Sequence, residues 1–121
     1  MRGDILAATD RRRVAGHHYI IYYDRINEDE FLGAIITTSR NYPQNISMLD
    51  EHFVEFDTDG NAYQITNNNS FLVPAKLIKL ESWGPFTKVG SLTNLGIRFI
   101  ERIIGHLEPI VWEDAIRRVS R

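Results

Sequence analysis

Up to Thr93 the hydrophobic positions fall in short runs, and beyond it they recur at helical spacing. The short runs predict strands. Residues 4–9 form one candidate, and 17–23, rich in Tyr and Ile, suit a half-buried pleated surface. The β-branched run "LGAIITT" at 32–38 predicts another. In "HFVEFD", 52–57, alternation puts Val54 with Phe56 on one face and Phe53 with Glu55 on the other. "DTDGN" then predicts a hairpin turn, with Gly60 free to take positive φ, and 62–66 as the partner strand. The segment 70–81 is long and apolar-rich but contains Pro74. Proline cannot donate to a ladder, so it marks an edge, a bulge or a break. Residues 88–91 read as a short last strand.

In "TNLGIRFIERIIGHL" the residues Leu95, Phe99, Ile100, Ile103, Ile104 and Leu107 share one side of a helix. Thr93 is placed to cap its start, and Gly105 weakens its end. After Pro109, "IVWEDAIRRV" repeats the helical pattern through Val111, Trp112, Ala115, Ile116 and Val119. The expected fold is mainly β with C-terminal helices, an α+β class. Many short strands followed by helices suggest a small barrel with helical cover. All of 1–121 reads as a single domain, with 109–121 as a helical extension.

Composition narrows the function without choosing it. With 121 residues, 43% hydrophobic and 25% charged, the chain suits one ordinary globular core. A net charge of -2 does not by itself predict a nucleic-acid partner, although local charge can still steer one. The absence of cysteine excludes disulfides, thiol catalysis and cysteine metal sites. The N-terminal "MRGDILAATDRRR" lacks the form of a signal peptide and no run reaches membrane-spanning length, so the cytoplasm is the expected location.

The candidate chemistry is sparse. "DTDGN" misses the calcium-loop positions for Gly and Glu, so a plain turn is the expectation. No His and carboxylate pair shows a metal spacing, and no metal or cofactor is expected. Arg11, Arg12 and Arg13 are the one strong charge run, and such runs are more often solvated loops than binding patches. His17 and His18 are neighbours at a strand entrance, so they point to opposite faces, and only one of them can look into a given cleft. Thr37, Thr38 and Ser39 end a strand, where hydroxyls usually bond to nearby backbone.

Taken in order, however, several pieces resemble the MazF/PemK (Kid) toxins of toxin–antitoxin systems. "RGDI" at the start is similar to the family's Gly-Asp strand. "AGHHYIIYY" stands where the family has Ala-Gly-x-Arg-Pro and a β-branched strand. "IITTSRNYP" matches its Ile-Thr strand end and the Tyr-Pro that follows in some members. The segment 70–104 follows the family's late strands and helix.

The resemblance implies an SH3-like barrel of the CcdB/PemK type, paired as a homodimer and inhibited by a cognate antitoxin. It implies a metal-independent endoribonuclease acting on single-stranded RNA. In that reaction the ribose 2′-OH attacks the adjacent phosphate and leaves 2′,3′-cyclic phosphate and 5′-OH ends. The family gives the chemistry mainly to the arginine before the proline and to the threonine of the strand end. The threonine falls on Thr37, with Thr38 beside it. The arginine falls on His18 and the proline on Tyr19, which is the main departure from the pattern. The family's loop acid falls near Arg13, and the glutamine of its late motif falls on Lys76.

Imidazole shuttles protons near neutral pH, whereas guanidinium stays protonated. His18 is therefore the expected acid or base, with His17 its neighbouring candidate. Arg11, Arg12, Arg13, Ser39, Arg40 and Lys76 are the expected RNA contacts. Tyr19, Tyr22, Tyr42 and Trp83 are candidates for base stacking, although aromatic residues in a barrel are more often core. Loss of the arginine leaves a second reading open, a non-catalytic barrel that binds nucleic acid or protein. A gyrase-directed, CcdB-like toxin is a weaker third, because the chain ends "AIRRVSR" without that family's Trp-Gly-Ile run. The extension is expected to pack on the barrel or the dimer interface, with Trp112 and Ile116 as the alternative antitoxin contact.

Overall fold

The computed structural model describes residues 1–8, 19–37, 44–63, 70–83 and 85–111. Its described strands form one antiparallel sheet: β1 Asp4–Ala8, β2 Tyr19–Arg25, β3 Glu30–Thr37, β4 Ile46–Ser47, β5 Phe71–Leu72, β6 Leu77–Leu80 and β7 Phe86–Ser91. Among the described residues one α-helix, α1 Asn94–Ile104, follows them. The order across the sheet is β4-β5-β3-β2-β1-β7, and β6 also pairs with β3. The fold is thus mainly β with a C-terminal helix, as the pattern predicts.

Pro74 explains how two strands share one edge of β3. Leu72 and Phe71 pair with Ile36 and Thr37. Leu77 to Leu80 pair with Gly33 to Glu30. Between them the Val73 N–H donates to Ile35 O at 2.9 Å, and the Ala75 N–H turns back onto Val73 O at 2.8 Å. Proline has no N–H for the ladder, so the chain steps out around it and pairs again beyond. The predicted long strand is therefore broken in two.

The face of the sheet toward α1 carries the larger core. Ile5, Ile21, Ala34, Ile36 and Leu72 pack there with Ile100 and Ile104. Each such fully buried aliphatic side chain contributes about 1.5–3 kcal/mol. Alternation along β3 sends Ile35 to the other side, where Val73, Leu77 and Ile110 surround it. The aromatic cluster of Phe31 with Tyr22 and Phe86 also forms there, with centroids at 5.2 and 5.3 Å.

Several elements differ from expectation. Residues 52–57 make only isolated bridges, Phe53 to Leu92 and Phe56 to Ala62. Asp50–His52 is a 3₁₀ turn, and the carbonyls of Glu51 and His52 serve the helix start instead of a ladder. Thr93 N–H donates to His52 O at 2.9 Å. The Thr93 hydroxyl donates to Glu51 O at 2.7 Å and accepts from Gly96 N–H at 3.2 Å, which makes Thr93 the cap that the sequence predicts. The turn at Gly60 forms with φ +84°. Leu95 stands exposed instead of joining the buried face of α1. Ile110, expected to begin a second helix, is extended and bridges in parallel to Leu77. The remainder of that predicted helix, 112–121, lies outside the described residues. No helix among the described residues is long and apolar enough to cross a membrane.

Candidate functional site

The ladder registers bring the ends of several strands together. Ala7 pairs with Tyr19, and Tyr19 with Ile36. Ile36 precedes Thr37, which pairs with Phe71, while Ala8 pairs with Phe86. One end of the sheet is therefore formed by Ala8, Tyr19, Thr37, Phe71 and Phe86. These residues anchor the segments 9–18, 38–43 and 64–69. The first carries three arginines against a single aspartate.

Of the expected catalytic residues, only Thr37 is described. It ends β3 on the same face as Ile35 and is 9% exposed. His17, His18 and Thr38 lie outside the described residues, as do Arg11, Arg12, Arg13, Ser39 and Arg40 among the expected RNA contacts. In sequence His18 directly precedes Tyr19 and Thr38 directly follows Thr37, the described residues at this end.

Lys76 is elsewhere. It is 8% exposed, and its Nζ donates to Gly105 O at 2.8 Å, at the C-terminus of α1. The same ammonium stands 5.5 Å from the centroid of the Tyr23 ring. Tyr23 is four residues along β2 from Tyr19, roughly 13 Å away at a strand's rise. Lys76 thus satisfies a helix-end carbonyl, where a cation is favoured, and the structure does not bring it to Thr37. Among the stacking candidates, Tyr19 packs against the main core and Tyr22 stacks on Phe31. Tyr42 lies outside the described residues.

Compared with family profiles, with curated proteins and with solved structures, the chain matches none.

Two groups of residues with structural roles were not legible in advance. Arg2 donates through Nε to Tyr23 O and through Nη1 to Glu101, both at 2.9 Å, and its guanidinium lies 4.3 Å from the Tyr23 ring centroid. Its partners are 21 and 99 residues away, so no local spacing announces them. Arg25 pairs with Glu81 at 2.6 Å, which raises its pKa, and lies over Tyr22. The other group centres on His52, which is 7% exposed. Its Nδ1 accepts the Leu49 N–H at 3.0 Å, and its ring stacks on Phe99 at 4.6 Å. Burial holds its pKa below the ordinary value, and nearby Arg102 lowers it further against the opposing pull of Glu51.

Proposed function

We propose that this protein is a toxin-like, metal-independent endoribonuclease of the MazF/PemK kind, built on an SH3-like barrel. One observation carries the reading. The two motif segments that bear the resemblance, "AGHHYIIYY" and "IITTSRNYP", meet through the Tyr19–Ile36 register at one end of the sheet. Residues far apart in sequence and expected to share a reaction thus have anchors in adjacent strands.

In this reading the 2′-oxygen of the RNA attacks the adjacent phosphorus as His18 takes its proton. The bond to the 5′-oxygen breaks, and that oxygen leaves as a hydroxyl after receiving a proton. The products are a 2′,3′-cyclic phosphate and a 5′-OH. Thr37 and Thr38 supply hydroxyl contacts to the phosphate. His17 is the second imidazole available for proton transfer. Arg11, Arg12 and Arg13, with Ser39 and Arg40, hold the backbone and offset the charge that grows on the phosphorane. The partners in this reading are single-stranded RNA, a second copy of the chain and an antitoxin, in the cytoplasm.

The burial of Thr37 favours a second reading, in which a related barrel binds nucleic acid or protein without cutting. Variants separate the two. Under the first reading, His18→Ala lowers RNA cleavage by about 10²–10⁴-fold, the range of a lost acid or base. Thr37→Val lowers it by about 10²–10³-fold, the range of a lost charge-stabilising donor. Rates unchanged in both variants would remove these residues from the chemistry.

A further inference from the structure

His52 sits at the joint between the Asp50–His52 turn and the start of α1. A backbone N–H can only donate, so the Leu49 contact requires a lone pair on Nδ1, and the ring's single proton is on Nε2. The ring is covered by Phe99, with centroids at 4.6 Å and planes at 28°. The charged groups that face it are Glu51 in its own turn and Arg102 on α1, whose guanidinium lies 5.5 Å from the Phe99 ring centroid. The turn and the helix are joined through backbone: Thr93 N–H donates to His52 O, and the Thr93 hydroxyl donates to Glu51 O. Gly96 is packed so tightly on the His52 carbonyl that a side chain there would collide with it.

We propose that this turn is an acid-released latch on the N-terminus of α1, in which protonating His52 turns Nδ1 from acceptor into donor and frees the turn from the helix. Two donors then face each other at Leu49, and a second cation joins Arg102 against Phe99. The capping contacts of Thr93 depend on the carbonyls of the same turn, so they loosen with it. The burial that lowers the pKa of His52 sets the transition on the acid side of ordinary histidine. The latch is independent of any RNA chemistry.

Amide hydrogen exchange on the full chain tests it, followed from about pH 7.5 to about pH 5 and corrected for intrinsic rates, a range that spans the ordinary histidine value near 6.5. The Leu49 and Thr93 amides are expected to lose protection by about tenfold per pH unit below the midpoint, while those of the paired residues Ile21 and Ala34 in β2 and β3 keep theirs. His52→Asn, which retains an acceptor but cannot titrate, is expected to abolish the response. Arg102→Gln is expected to move the midpoint to higher pH and Glu51→Gln to lower pH. If Leu49 and Thr93 follow the sheet amides at every pH, or if His52→Asn responds as the wild type does, the latch is refuted. Should His52→Asn fail to fold, the other two variants decide, and a midpoint that moves in neither overturns the proposal.

Discussion

Three side chains carry tasks that their residue types alone do not announce. Lys76 satisfies the carbonyl of Gly105 from a buried position. Lys76→Met keeps the aliphatic stem and loses the charged hydrogen bond, so it is expected to cost about 1.5–3 kcal/mol in urea unfolding. Thr93 both caps α1 and holds Glu51. Thr93→Ala is expected to cost about 1 kcal/mol or more by the same measurement, because two contacts go with one hydroxyl. The folded state binds a proton at His52 less tightly than the unfolded chain does. Its contribution to stability is therefore complete above about pH 6.5 and is lost as the pH falls through that value toward the folded pKa. Urea midpoints should fall between about pH 7 and pH 5 in the wild type, and His52→Asn should flatten that part of the curve.

At the scale of elements, the helix start and the sheet depend on close backbone packing. Gly96→Ala pushes a methyl group into the His52 carbonyl and is expected to destabilise by about 1–3 kcal/mol, read from thermal unfolding. Periodicity was sufficient for α1, because Ile100 and Ile104 recur on its core face and Thr93 and Gly105 bound it. It was also sufficient to find β1, β2 and β3, whose apolar runs are long enough to read, whereas β7, with only Phe86 and Val89 as large apolar residues, was read over 88–91 alone. The break at Pro74 was legible in kind, since a missing N–H must interrupt a ladder, but the pairing of both halves with β3 was not. The alternation in 52–57 overstated the strand because the His52 carbonyl is taken by Thr93 at the helix start, which local pattern does not encode, while Glu55 and Asp57 keep only a short hairpin contact with Tyr63 and Asn61. β4, with two residues, is too short to leave a period. Leu95 fits the helical stripe in sequence yet lies at the edge of the contact face, so it stays exposed. Of the candidate site, the motif order was legible, and the register adds that its anchors are adjacent. The position of Lys76 was not legible, because its acceptor is 29 residues away.

For the whole molecule, the sheet is covered by α1 on one face and by a smaller cluster around Ile35 on the other. One sheet end gathers the anchors of the arginine, histidine and threonine segments. The remote end holds the contacts of Arg2 and Lys76 with Tyr23 and the C-terminal half of α1. Three arginines are consecutive at 11–13 in a chain of net charge -2, so the attraction for an anion that this reading needs is local to that run rather than a property of the whole chain. The ribonuclease reading stands or falls on the bonds that the protein breaks. The direct measurement is to incubate the purified chain with a long single-stranded RNA in EDTA and to determine the chemistry of any new ends. The account predicts 2′,3′-cyclic phosphate and 5′-OH ends at a short preferred sequence. RNA left intact, or cut to 3′-OH and 5′-phosphate ends, would contradict it.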